Sequence, residues 1–389
     1  MYTRRCVHSF LSYLRLESRI CIIRMLEAYF DPVPSSVVEE IKHPSQAFGG
    51  NIQLYSKLFP KLSTAKIVIV GIGDQSHLIR KSLYSLTWRF GKTPIVDLGN
   101  FKTPSDQKQR DFAMSEALGE LFALNLIVIV LSDEKSHLIP QHRSQRDSKK
   151  PLELACVTPS INFDAGSDYY DILSSPEYRK QLSNIDFIAT QAYYISDETA
   201  DQLDSLNFEN YRLGNIRNTL EETEPILRSA HSLYFDLNAV RNADIDGLTQ
   251  PSPNGLYAEE AVKIARYAGL SNMLNSATFH GLSNDRSHGL GDELVAQMVW
   301  YFVEGYTSRF NDHPVKNDEN YLIYRNRIES TGHEITFYKS RKSDRWWMEV
   351  PHPYEEETFF IGCSYQDYQN VCDGDMPDRW WRAYQRHLG

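Results

Sequence analysis

From residue 60 onward, short apolar runs alternate with segments of helical spacing, and that alternation sets the expected fold. TAKIVIVGIG (64–73), TPIVDLGN (93–100), LIVIVL (126–131), LELACVTPSINFD (152–164), NIDFIAT (184–190), SLYFDLN (232–238) and NMLNSATF (272–279) read as strands. They are rich in Val and Ile on both faces, the pattern of strands covered by helices on either side. Between them, SEALGELFALN (115–125), SDETADQLDSL (196–206) and EETEPILRSA (221–230) space their apolar residues as helices do. YAEEAVKIARYAGL (257–270) and GDELVAQMVWYFVEGY (291–306) do so more strongly, with polar capping residues ahead of the apolar face. The alternation predicts an α/β domain, residues 25–310, built on a mostly parallel sheet.

The texture changes at both ends. Residues 1–24 carry five arginines and a single acid, Glu17. They read as a mis-assigned start upstream of Met25, or else as an amphipathic leader, and stay out of the fold reasoning. QHRSQRDSKK (141–150) reads as a polar, basic surface loop, and NDHPVKNDENY (311–321) as linker-like. Residues 311–389 form a C-terminal extension dense in aromatics, including DRWWMEVPHPY (344–354) and PDRWWRAYQRH (377–387). Its tryptophan pairs, Trp346-Trp347 and Trp380-Trp381, are expected to anchor it on the domain or on a partner, including a second copy in a homo-oligomer.

A hydrophobic content of 41% is ample for a large core, and 24% charged residues keep the surface polar. The net charge of −10 argues against nucleic acid as the main partner, because phosphate binding needs a basic surface. The longest apolar run, LFALNLIVIVL (121–131), is too short to cross a bilayer, so no membrane partner and a cytoplasmic location are expected. The five cysteines form no CxxC pair and are expected to be free thiols. VGIGDQS (70–76) lacks the third glycine of a dinucleotide turn and reads as a tight turn.

Candidate chemistry lies in two acidic segments that follow β-type runs, INFDAGSD (161–168) and SLYFDLNAV (232–240). In a strand, residues two apart share a face, which would point Asp236 and Asn238 the same way. Where strands open at the carboxyl edge of an α/β sheet, such groups converge on a ligand site. Aspartates just after strands also cap the following helix, and the residues alone leave both readings open.

Three segments, in order, resemble the signatures of the arginase, agmatinase and formimidoylglutamase family, the ureohydrolases. Leu131-Ser132-Asp133-Glu134-Lys135 stands where that family has GGDHS, Asp164-Ala165-Gly166-Ser167-Asp168 where it has DAHxD, and Tyr234-Phe235-Asp236-Leu237-Asn238 where it has SxDxD. The resemblance spans residues 60–310 and is closest to the formimidoylglutamase-like branch. It implies a three-layer α/β/α fold around an eight-stranded, mostly parallel sheet, with two manganese ions held between the signatures.

The departures are uneven. The resemblance puts the ligand positions of one ion on Glu134, Asp164, Asp168 and Asp236, all oxygen donors, which favours one Mn²⁺, Mg²⁺ or Ca²⁺, or no ion. The other ion would need the positions of Gly166 and Asn238, where a histidine and an aspartate are replaced by no side chain and by a neutral amide. The family's late substrate-binding glutamate is also missing, and His280 beside that position is the candidate acid/base. The first expectation is therefore a ureohydrolase-fold protein with an eroded two-metal site. It would lack or weakly retain hydrolysis of C–N bonds in linear amidines, and act by binding or assembly. The alternatives are an active formimidoylglutamase-like metal-dependent hydrolase, and a sensor of a small amidine or amino-acid-like ligand in the old substrate pocket.

Overall fold

The computed structural model describes residues 26–133, 135–146, 148, 151–315, 319–352 and 358–388, so residues 1–24 and Glu134 lie outside the described residues. The chain divides into two compact units: one runs to Asp133 and takes in 137–147, the other holds 134–136 and 148–389.

In the first unit β1 (Phe30–Asp31) and β2 (Gln53–Leu54) are two-residue strands beside β4 (Ile95–Phe101), while β3 (Ile67–Gly71) and β5 (Ile127–Leu131) are apolar and buried throughout. β3 pairs in parallel with both β4 and β5, and only β1 runs antiparallel. One face of these strands packs Val68, Val70, Leu98, Val128 and Val130 onto Leu118 and Leu121 of the helix Gln107–Ala123. That helix starts well before Ser115, at a cap where Asp106 accepts the Gln109 N–H at 2.9 Å. Its polar opening turns conceal it from an apolar-spacing argument. The other anchor is a fully buried pair: Arg80 grips Asp97 with Nε at 2.9 Å and Nη2 at 3.0 Å, and the Tyr84 hydroxyl donates to the same carboxylate at 2.8 Å.

The segment expected to be a surface loop at 141–150 is not one at its start. Gln141 and His142 are buried within the helix Leu138–Ser144, because Leu138, Pro140 and the Ser115 hydroxyl on Pro140 O draw it inward.

The second unit carries β6 (Leu152–Val157), β7 (Leu182–Thr190), β8 (Glu209–Arg212), β9 (Ser232–Asp236) and β10 (Ser276–His280), in the order β10-β9-β6-β7-β8 and all parallel. Among the described residues, leaving aside β1 and β2, the parallel strands number three in the first unit and five in the second, eight as expected. The helices Ala258–Leu270 and Leu290–Thr307 lie close because a Cβ on Gly269 would stand 2.1 Å from Phe302 O and one on Gly305 2.2 Å from Arg266 O.

The aromatic extension forms an antiparallel sheet of its own in the same unit. It runs β11 (Tyr321–Arg327), β12 (Glu334–Ser340), β13 (Trp346–Pro351) and β14 (Thr358–Cys363), followed by the helices Tyr365–Cys372 and Asp378–Leu388. Phe337, Trp346, Met348, Ile361 and Trp380 share its core, and Trp380 Nε1 donates to Glu349 O at 2.9 Å. Arg228 donates to Trp346 O at 2.6 Å and lies over the Trp347 ring, tying this sheet to the helix Thr223–Ser229. Among the described residues, no helix is long and apolar enough to cross a membrane.

Candidate functional site

The carboxyl ends of β9 and β10 lie side by side, with Asp236 and His280 as register partners. Beneath them the rings of Phe235 and Phe279, 6.2 Å apart, hold the two strand ends in the core. After Asp236 the chain does not stay extended. It turns into a 3-10 helix, Leu237–Ala239, so the expectation that Asp236 and Asn238 share a strand face is corrected. The turn forms because the Asp236 carboxylate accepts the Asn238 backbone N–H at 3.0 Å, satisfying a donor the strand would otherwise leave open.

Asn238 is buried and fully engaged. Its Nδ2 donates to Asp236 Oδ1 at 2.7 Å and to Thr249 Oγ1 at 3.0 Å, and its Oδ1 accepts the Gln250 N–H at 2.7 Å. Gly281 allows this closeness: its φ is +104°, and a Cβ there would stand 2.7 Å from Asp236 Oδ1.

The DAGSD segment follows β6 at a distance. β6 ends at Val157, and Asp164 lies in a loop beyond Pro159, not at a strand terminus as expected. Pro159 has no N–H to give a ladder, and Asn162 turns its side chain back to accept the Asp164 N–H at 2.6 Å. Residues 164–167 then close a turn, Ser167 N donating to Asp164 O at 3.0 Å with Gly166 at φ +93°. Ser167 caps the helix Asp168–Ser174 by accepting the Tyr170 N–H, and Asp168 sits in its first turn, where the helix dipole favours an acid. Asp168 also accepts the Ser136 hydroxyl at 2.9 Å. Asp164 and Asp168 are both exposed.

One residue here escaped the sequence argument. Tyr169 stacks edge-on to Phe163 and Phe187, with centroids 6.3 and 5.1 Å away, and so fixes the loop on β7. Burial, then the adjoining Cys156 thiol and the Asp236 and Asp168 carboxylates, push its phenol well above the usual value. Its place directly after the acidic motif was the available signal.

A cavity of about 440 Å³ opens against these loops, lined among others by Ser160, Asn162, Asp164, Tyr194, Asn238 and Gln250. Among the described residues of that lining, Asp164 is the one that is charged; the rest are neutral and mostly polar. Tyr194 adds a half-exposed aromatic ring, edge-to-face with Tyr193 at 4.7 Å. Neither Tyr194 nor Gln250 belongs to a motif that sequence spacing could have picked out.

No protein-family model matches the sequence, and no curated protein matches it. Solved structures do match in three dimensions. A Trypanosoma cruzi formiminoglutamase with Mn²⁺ is similar at a TM-score of 0.58 and 17% identity, over 64% of this chain and 96% of that one. A Bacillus subtilis formimidoylglutamase gives 0.59 and 10%, covering 68% and 93%, and a Thermoplasma volcanium agmatine ureohydrolase 0.52 and 16%, covering 70% and 99%. The chain has the ureohydrolase fold.

Within that fold the residues can be tested against the metal chemistry that the sequence motifs suggested. The Asp236–Asn238 end does not suit a second cation. The Oδ1 of Asn238 already accepts a backbone N–H, and its Nδ2 turns a donor toward the Asp236 oxygen that a cation would need. The orientation of the amide is fixed by chemistry, since only an oxygen can accept from Gln250 N–H and only the NH₂ can donate to a carboxylate. Among the described residues, no three His, Cys, Asp or Glu side chains gather as a metal-holding group. Glu134, the fourth oxygen donor that the motifs suggested, lies outside them.

Proposed function

We propose that this protein uses the ureohydrolase fold as a binding scaffold, its two-metal hydrolytic centre having been closed on one side by Asn238. The amide takes up by hydrogen bonding the Asp236 oxygen that a second cation would engage by charge. That single contact carries the reading. A lone oxygen-ligated ion acidifies water far less than a bridging pair, so amidine hydrolysis would be weak or lost.

The pocket chemistry supports the rest. A neutral polar lining with Asp164 as its one charge, beside the face of Tyr194, suits a small ligand carrying a single positive charge, of amidine or amino-acid-like type. Glu134, Asp164, Asp168 and Asp236 remain the donors for one hard cation on this reading, with His280 beside them as the acid/base of any residual activity. The C-terminal extension would contribute assembly, through exposed aromatics such as Trp381 and Tyr365.

Calorimetric titration with agmatine, arginine and formimidoylglutamate, in chelator and in Mn²⁺, tests this. One of these amidine or guanidine compounds should bind in chelator, and Asp164→Asn should weaken it about tenfold, the loss of one charge-assisted contact. Rapid Mn²⁺-dependent release of urea, ammonia or formamide, with no binding in chelator, would overturn the reading in favour of a working hydrolase.

A further inference from the structure

On the helix Asp378–Leu388, Arg379, Arg382 and Arg386 are spaced by three and four residues and therefore share one face. That face meets a row of acids on neighbouring strands: Glu153 on β6, Asp186 on β7 and Glu209 on β8. Asp186 and Glu209 are register partners, so two carboxylates stand side by side on adjacent strands, an arrangement that repels when both are ionised. Asn184 relieves part of this by donating to Asp186 at 2.9 Å.

The arginines do not close on these acids. Arg379 is bonded to Glu222 at 3.0 Å and approaches Asp367 at 3.4 Å, and Arg386 donates to Asn207 O at 2.7 Å. Arg382 donates to Asp204 at 3.0 Å and to Phe208 O, reaching Glu209 only at 3.7 Å. Between the two layers lies a cavity of about 40 Å³, lined by Glu153, Asn184, Asp186, Glu209, Arg379 and Arg386 among others. At about 10–15 Å³ each it has room for about two to four waters. Glu209 is 8% exposed, and its Oε1, the Asn184 Oδ1, the Arg379 Nη1 and the Arg386 Nε are buried with no hydrogen-bond partner. Tyr211 on β8 also lines this chamber; behind the lining, the buried Cys363 on β14 feels the Arg379 charge, and His231 accepts the Glu153 N–H at 3.1 Å.

We propose that this chamber is a proton-binding site, in which protonation of the Glu153–Asp186–Glu209 row is coupled to docking of the C-terminal arginine helix. A proton on one carboxyl removes the repulsion between register partners and supplies an O–H donor to a cavity rich in buried acceptors. Burial lifts Glu153 and Glu209 to about 7 and Asp186 in the same direction, against the pull of the arginines. An undocked helix returns these acids to solvent and to their ordinary, lower range. The docked state therefore holds protons that the undocked state releases, so docking is strongest below neutral pH and loosens as pH rises through about 7.

Amide hydrogen exchange in the full chain, expressed as protection factors at about pH 6 and pH 8, reads this directly, with the helix Leu290–Thr307 as an internal control. Protection of the helix Asp378–Leu388 should fall about tenfold across that range while the control holds, the effect of roughly one pKa unit of coupling. In Glu153→Gln/Glu209→Gln, whose carboxamides cannot ionise, the fall should shrink to about twofold or less. If that variant does not fold, Glu153→Gln alone should reduce the fall. Equal protection at both pH values, an equal loss in the control helix, or an unreduced fall in the variants would overturn the proposal.

Discussion

The Asn238 side chain joins two elements at once, donating to Asp236 Oδ1 at 2.7 Å and accepting the Gln250 N–H at 2.7 Å. Both bonds are partly buried, and both depend on an amide having a donor on one side and an acceptor on the other. An aspartate at 238 would keep the Gln250 contact but bring two carboxylates together. In chelator, Asn238→Asp should therefore cost about 1–3 kcal/mol of unfolding free energy. Urea denaturation measures it, and a neutral effect would mean the amide is not holding this turn.

The Arg80–Asp97–Tyr84 group in the first unit is fully buried and bonded on every side. Asp97→Asn leaves the guanidinium without its counter-charge and should cost about 3–5 kcal/mol, whereas Tyr84→Phe removes one hydrogen bond and should cost about 1–2 kcal/mol. Denaturant midpoints of the two variants check the ordering; Tyr84→Phe costing as much as Asp97→Asn would contradict it.

Gly166 has φ +93°, and nothing lies within 4 Å of where a Cβ would stand. Gly166→Ala should therefore cost about 1 kcal/mol through the backbone alone, with no packing penalty. Thermal unfolding should register a small drop, and a large one would point to a contact at this turn. The same φ means a histidine at 166 would be strained, so restoring that position alone is a poor route to a metal site.

Global stability should carry the mark of the buried acids. Glu153 and Glu209 titrate near 7 in the folded chain and lower when unfolded, so the native state binds the extra protons and stability declines as pH rises through that window. The unfolding midpoint should be higher near pH 6 than near pH 8, and Glu209→Gln should raise it at pH 8. A midpoint that climbs from pH 6 to pH 8 would contradict this.

Much of this architecture was legible in the sequence because parallel strands buried on both faces leave unbroken Val/Ile runs, as in β3 and β5. Asp236 and Asn238 were located correctly, but their relation was not: a period-2 argument puts them on one face, and a capping hydrogen bond bent the chain after Asp236 instead. Asp164 was drawn to a strand end because Ile161 and Phe163 look like a continuation of β6, and Pro159 stopped the ladder first. The sheet β11–β14 stayed hidden since its aromatics pack in pairs on both faces, blurring the alternation that marks a strand. Gln250 and Tyr194 reach the pocket from distant stretches of the chain, a convergence that only the fold creates.

The central claim is that an amide has replaced a cation between positions 236 and 238. Titration of Mn²⁺ into metal-stripped protein, wild type and Asn238→Asp in parallel, tests it most directly. The account predicts at most one Mn²⁺ per chain in the wild type and tighter Mn²⁺ binding in the variant, which gains a carboxylate; two tightly held ions in the wild type, or unchanged affinity in the variant, would contradict it.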